Sequence, residues 1–214
     1  GTTYSVTGIG TAFANCEGLT SVTIPNTITG ITLNSFRNCT GLTSVNIGNS
    51  LATIEDRVFQ GCTGLTSVTI PTSVTTIGNY AFEGCSSLTS LNFNAVNCSD
   101  FSFSYPPFDG CPISTINIGD SVQRIPGYFA YNLKSLTSVT IGNSVTSIGE
   151  YAFAFCTGLT SVTIPNNVTS IGYDAFSLVK NIIYNGTATG SPWGALSHNG
   201  FVEDGFVYVD NTKT

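Results

Sequence analysis

In a chain of 214 residues only 8% are charged, 6 basic against 12 acidic, and a net charge of −6 without a basic cluster excludes nucleic acid and anionic membrane surfaces as natural partners. No apolar run approaches the roughly 20 residues that cross a bilayer, so this segment inserts into no membrane by itself. The chain begins at Gly1 and contains no Met, so it reads as a processed chain or a piece of a longer protein.

Leu19, Leu42, Leu65, Leu88, Ile113, Leu136, Leu159 and Ile182 open successive copies of one pattern, at intervals of 23, 23, 23, 25, 23, 23 and 23 residues. A fixed period of this length predicts a solenoid in which each copy is one rung. Residues 65–85, L-T-S-V-T-I-P-T-S-V-T-T-I-G-N-Y-A-F-E-G-C, show the unit most cleanly. Val68-Thr69-Ile70 alternates as a strand does, and Pro71-Thr72-Ser73 turns the chain. Val74 to Ile77 then crosses the opposite side, and Gly78 to Cys85 predicts a short helical or 3₁₀ turn that inserts Phe82. The turn after the strand carries Pro25, Gly48, Pro71, Gly119, Gly142 and Pro165 in successive copies, two residue types that one turn geometry can accept. A rung cannot offset its own ordering entropy and must stack, with at least three copies, to bury its apolar side chains.

Cys16, Cys39, Cys62, Cys85 and Cys156 share one position of the repeat, with Cys111 equivalent after a one-residue slip. A single register predicts a column of buried free thiols acting as small hydrophobes, because parallel side chains have the wrong dihedral for bonding. Cys98 lies outside the register, and an odd total of 7 leaves at least one thiol unpaired; a Cys98 to Cys111 bridge is not expected.

Three segments depart from the pattern, taken in chain order. Asn94 to Gly110 is longer than a normal rung and carries Phe101, Phe103 and Tyr105 ahead of Pro106-Pro107. It reads either as an aromatic binding loop or, the favoured reading, as an enlarged rung that Phe101 and Phe103 fill. From Gln123 to Lys134 the usual Ala-Phe becomes Phe129-Ala130 and the Cys becomes Leu133, a volume-conserving exchange. Arg124, Tyr128, Tyr131 and Lys134 make this the densest polar-aromatic group of the chain, and Tyr80, Tyr128 and Tyr151 share one repeat position. After Ile182 the tail abandons the repeat. F-V-E-D-G-F-V-Y-V-D predicts two strands joined at Asp204-Gly205, and Trp193 is expected to help cap the last rung. The division is thus 1–182 solenoid and 183–214 C-terminal cap or inter-block segment.

The copies C-T-G-L-T-S-V-T-I-P-T-S-V-T-T-I-G-N-Y-A-F-E-G-C and C-T-G-L-T-S-V-T-I-P-N-N-V-T-S-I-G-Y-D-A-F resemble the BspA-like, or Treponema-type, leucine-rich repeat over about residues 5–182. The resemblance implies a leucine-rich-repeat right-handed solenoid, mainly β, with a parallel sheet of about eight rungs on the concave face. It also implies a secreted or surface-displayed adhesion or interaction protein of a host-associated microbe.

Little in the sequence suggests catalysis. His198 is the one histidine, no G-x-S-x-G turn accompanies it, and the thiol column lacks the pairs and convergence of a metal site. No enzyme activity, cofactor or metal is expected. The carboxylate pairs Glu55-Asp56 and Glu203-Asp204 read as solvated turn residues. Outward strand positions such as Ser67 and Thr69, or Ser138 and Thr140, form a neutral field of hydroxyls and amides without an anchor for tight binding. As the resemblance implies, the expected function is a monomeric extracellular interaction module for a host or neighbouring-cell surface protein or glycan. Its candidate contacts are Phe101, Phe103, Tyr105, Arg124, Tyr128, Tyr131 and Lys134, and the alternative is a passive spacer within a longer surface protein.

Overall fold

The computed structural model describes residues 8–184 and, beyond them, the strands Val202–Glu203, Phe206–Val209 and Thr212–Lys213. Each regular rung contributes one four-residue strand and one two-residue strand. The long strands are Ser21–Ile24, Ser44–Ile47, Ser67–Ile70, Ser90–Phe93, Thr115–Ile118, Ser138–Ile141, Ser161–Ile164 and Asn181–Tyr184. Their pairings are parallel and, through the seventh strand, in repeat register, Ser67 opposite Ser90 and Ile70 opposite Phe93. In the eighth, Ile182 lies opposite Val162, so the last copy is three residues short and Ile182 takes the second strand position, not the opening one expected from the 23-residue interval. That register survives the 25-residue interval, with Leu91 opposite Ile116 and Phe93 opposite Ile118, so the extra residues are absorbed outside the strand.

Period-two alternation decides what each strand buries. In Ser67–Ile70, Ser67 and Thr69 face solvent while Val68 and Ile70 enter the core. Leu42, Leu65, Leu88, Ile113, Leu136 and Leu159 line that core with no exposed surface. Phe13, Phe36, Phe59, Phe82 and Phe108 stack one per rung at 5.3, 5.4, 5.1 and 5.3 Å between centroids. Each such pair adds about 0.5–1.5 kcal/mol beyond its burial. The turn segments supply helical geometry only as a 3₁₀ turn at Thr11–Phe13; elsewhere among the described residues they are tight turns.

The Phe129-Ala130 exchange is compensated packing. Ala130 takes the place of the stacked ring, and Phe129 packs edge-on against Phe93 at 4.8 Å and against Phe153 at 5.9 Å. Phe101, pulled inward by the long segment, lies 5.9 Å from Phe129 and fills the same space.

Proline divides the long-strand ladder. Gly48, Asn94 and Gly119, at the position just after the strand, donate their N–H to Ile24, Ile70 and Phe93 of the preceding rung. Pro71 and Pro165 have no N–H to give Ile47 and Ile141. The ladder stops at those two places, leaving hydrogen-bonded sheets of two, four and two long strands. Ile47 and Ile141, each just before a break, are 8% exposed, against 1% for Ile24 and Ile118 and none for Ile70. Pro and Gly do share one turn, since Val74 donates to Pro71 as Leu51 does to Gly48. They differ in how closely the neighbouring rung approaches: a Cβ on Gly48 would stand 2.6 Å from the Ile24 carbonyl oxygen. The short ladder runs unbroken through both proline positions, Thr53 opposite Thr76 and Ser147 opposite Ser170, so no rung interface depends on one ladder alone.

In the tail, Val202 pairs with Val207 and Glu203 with Phe206 in antiparallel register, as the hairpin reading predicts. Trp193, His198 and the Asp204-Gly205 turn lie outside the described residues.

Native-state hydrogen exchange tests the proline account. Amides of 44–47 and 67–70 should exchange faster than those of 90–93 and 115–118, and Pro71→Ala should slow exchange across the 47/70 boundary by roughly tenfold, about 1.4 kcal/mol of local stability.

Candidate functional site

The turn face, built from segments such as 78–85, carries a third ladder. Arg57, Tyr80, Tyr128 and Tyr151 adopt left-handed backbone conformations with φ of 56°, 56°, 56° and 52°. In that geometry their N–H groups point along the stack and donate to Asn79, Tyr105, Glu150 and Tyr173 of the next rung. Four residues later a second left-handed position does the same, Gly61 to Glu83 and Asn132 to Ala154. Each such residue other than glycine costs roughly 1–2 kcal/mol of backbone strain. Phe155, with φ of 62°, occupies the second position, where other rungs place Asn15, Asn38, Gly61, Gly84, Gly110, Asn132 and Leu178. A bulky ring held in this conformation marks a surface feature maintained against local preference.

These positions and the long segment display aromatic rings in two groups, the pair Tyr80 and Tyr105 and a connected band from Phe103 to Tyr173. Tyr80 meets Tyr105 at 5.4 Å, and Phe103 meets both Tyr128 at 5.7 Å and Tyr131 at 5.3 Å. Tyr128 stacks on Tyr151 at 5.2 Å, Tyr131 contacts Phe155 at 5.4 Å, and Tyr151 contacts Tyr173 at 5.6 Å. Phe103, Tyr105 and Tyr173 remain 57%, 51% and 64% exposed. Burial, with the Glu150 carboxylate beside it, pushes the Tyr128 hydroxyl above its ordinary pKa; burial and then Asp174 do the same at Tyr151.

The band adjoins the place where the turn-face ladder fails. Pro106 stands where the neighbouring rungs have Tyr80 and Tyr128 as donors, and it has no N–H. The N–H of Phe101 bonds the Gly127 carbonyl instead. Leu133 replaces the cysteine whose thiol elsewhere reaches back one rung. Asp109, Gly110, Cys111 and Pro112 on one side and Tyr131 to Ser135 on the other consequently line an open groove of about 330 Å³. The rungs are held together nearby by Asp100, whose Oδ1 accepts from Arg124 Nη2 and from the Gly127 N–H, each at 2.5 Å. Arg124 Nη1 also donates to the Cys98 carbonyl at 3.1 Å.

The seven expected contact residues therefore separate. Phe103, Tyr128 and Tyr131 share the band, Tyr105 packs on Tyr80 instead, and Lys134 lies exposed in the groove beside the band. Phe101 is buried to 5% exposure and belongs to the core, as the packing reading of the long segment holds; Phe103 does not, and stands in solvent. Arg124 is committed to Asp100 as a strut between rungs. Phe155 and Tyr173 join the band without having been singled out, although an aromatic residue at an Asn/Gly position was a visible signal. Glu55 and Asp56 are not merely solvated: they accept the N–H groups of Leu33 at 2.8 Å and Asn79 at 2.7 Å from adjacent rungs.

Six of the seven thiols are buried and Cys16 is half-buried. All seven cysteines are free, Cys98 and Cys111 among them, and the thiols of Cys39, Cys62, Cys85, Cys111 and Cys156 donate to carbonyls of preceding rungs, Cys62 to Phe36 at 3.2 Å for example. Burial pushes Cys62, Cys98 and Cys156 up to about 12, and it also raises Cys39. Cys85 is raised by its contact with the Cys111 thiol and by burial. Among the described residues no group of three or more His, Cys, Asp or Glu is arranged to hold a metal ion, and no helix is long and apolar enough to cross a membrane.

The sequence pattern of the BspA type leucine-rich repeat region matches residues 8–129 and 126–187, in six copies. A leucine-rich repeat protein from T. pallidum superposes with a TM-score of 0.57 at 22% identity, over 72% of each chain. One from Eubacterium ventriosum superposes with a TM-score of 0.64 at 25% identity, over 85% of this chain and 47% of the other, so this chain spans about half of that protein. No curated protein matches the chain significantly.

Two outcomes check the site chemistry. At pH 8 iodoacetamide should modify half-buried Cys16 well before the buried thiols. Because the folded-state thiol values exceed the ordinary 9.0, the unfolded chain loses protons first; their contribution to stability is complete below pH 9 and should decline as pH rises toward 12, read as a falling denaturation midpoint.

Proposed function

The chain belongs to the BspA-type leucine-rich repeat family, and we propose that this member is a non-catalytic adhesion module, secreted or displayed at a cell surface, that binds a protein on a host or neighbouring cell. Family membership supports a protein-interaction role, since the leucine-rich repeat is an interaction scaffold. One observation carries the choice of surface: the exposed ring of Phe103 extends a band of mutually packed aromatics at the irregular rungs, with exposed Tyr105 packed on Tyr80, whereas the outward positions of the long strands from Ser21 to Ile164 are hydroxyls and amides. Aromatic residues lose little side-chain entropy on binding and dominate interface energetics. The groove between Asp109 and Lys134 gives the same surface a concave border with one charge of each sign. Protonated thiols leave the cysteine column a structural role.

The reading is tested with a Phe103→Ser/Tyr105→Ser variant, since both side chains are largely exposed. Binding to whole host cells and to arrayed extracellular proteins should fall at least about tenfold while the melting temperature shifts by no more than about 2 °C. Thr69→Ala/Thr140→Ala on the strand face should bind as the parent does. No binding by the parent chain would favour a passive spacer.

A further inference from the structure

The aromatic band is bordered by more negative charge than a neutral partner would favour. Asp109 lines the groove with Tyr131, Glu150 acts on Tyr128 and Asp174 on Tyr151, whereas from Tyr80 to Phe176 the chain carries only two cations, Arg124 and Lys134. Arg124 is held by Asp100 and the Cys98 carbonyl, so Lys134 is the one cation of this stretch outside an ion pair among the described residues. Asp109 is exposed across the groove from Tyr131, and Glu150 is exposed beside Tyr128. The raised hydroxyls of Tyr128 and Tyr151 reflect, after burial, these same carboxylates.

The chain also shows what such a column of rings accepts. The Arg57 guanidinium lies over the Tyr80 ring, 5.6 Å from its centroid. A cation over a tyrosine face is attracted by the ring quadrupole, by about 0.5–1 kcal/mol where exposed. Elsewhere in the two groups of rings, Phe103, Tyr105 and Tyr173 are more than half exposed, and no arginine of this chain lies over any of them. The rings there lean edge to face, Phe103 at 74° to Tyr131 and Tyr151 at 75° to Tyr173, which leaves ring faces of more than one orientation at the surface.

Building on the proposed adhesive role of the band, we infer that its partner presents an arginine-rich segment of polypeptide, which lays guanidinium groups over Phe103, Tyr105 and Tyr173 as Arg57 lies over Tyr80, with Asp109 and Glu150 as counter-charges. Arginine suits this surface better than lysine, because its planar, weakly hydrated cation both stacks on a ring and bonds a carboxylate in the same pose. Several such contacts along one strand of partner would add through effective concentration, so weak individual sites suffice.

The test uses the whole chain and three fluorescent peptides of roughly 14 residues, identical except for arginine, lysine or citrulline at several Gly/Ser-spaced positions, with binding read by anisotropy. The arginine peptide should bind at least about tenfold tighter than the citrulline peptide and weaken severalfold between about 50 and about 300 mM NaCl. Phe103→Ser/Tyr105→Ser/Tyr173→Ser, which keeps every carboxylate, should lose at least about tenfold. Equal binding of the citrulline peptide, undiminished binding by that variant, or no binding of the arginine peptide would each overturn the inference. The cell-binding assay separates the two claims. If the aromatic variants lose cell binding while the arginine peptide neither binds nor competes, the adhesive role stands and the cationic partner falls. If the peptide binds as expected and the parent chain adheres to nothing, the cationic site stands and the adhesive role falls.

Discussion

Each rung satisfies its backbone polar groups on its two neighbours, and a lone copy of 23 residues has nowhere else to place them. The requirement for cross-rung hydrogen bonds in constant register explains the invariant strand length, the parallel pairings and the stacking of like upon like: phenylalanine on phenylalanine, thiol under carbonyl. It also explains how the chain tolerates irregularity. Extra residues between Phe93 and Phe108 are looped out, because Phe93 must still pair with Ile118. Wherever a donor is lacking, one ladder opens and another continues. Pro71 and Pro165 interrupt the long strands while the short strands run on, and Pro106 interrupts the turn face where the long strands Thr115–Ile118 and Ser138–Ile141 stay paired.

The molecule has two kinds of surface. The outward positions of the long strands from Ser21 to Ile164 repeat hydroxyls and amides from rung to rung. Where the turn-face ladder fails, Phe101 and Phe129 repack the interior and Phe103 stands in solvent against Tyr128, which keeps the regular position of Tyr80 and Tyr151, with a groove alongside. Left-handed backbone at Tyr128, Tyr151 and Phe155 costs energy at each position, and the regular stack around it supplies the constraint that holds it.

The repeat made most of the fold legible. Period, strand positions, turn positions and the thiol column could be placed from spacing alone up to the last copy, because stacking converts sequence periodicity directly into spatial registry. There the shortened interval puts Ile182 opposite Val162 instead of at an opening position. Local departures were harder to read. The sequence placed Phe101 and Phe103 together, yet two residues along an extended segment send one ring inward and the next outward, and only the packing around Phe129 decides which. Arg124 looked like a free contact because its partner Asp100 is 24 residues away, about one rung. Pro71 looked interchangeable with Gly48 because the turn is the same, and the difference lies in a hydrogen bond to a different rung. Every one of these errors concerns a relation between rungs that lies outside the single copy being read.

The account is tested most directly by replacing residues 86–110 with the regular rung 63–85, which removes Phe101, Phe103, Tyr105 and Pro106 together and returns the donor at that position. The melting temperature should be maintained or rise, by analogy with consensus repeats, and binding to cells should be lost. A regularised chain that folds stably and binds as well as the parent would contradict the claim that function resides in the irregular rung.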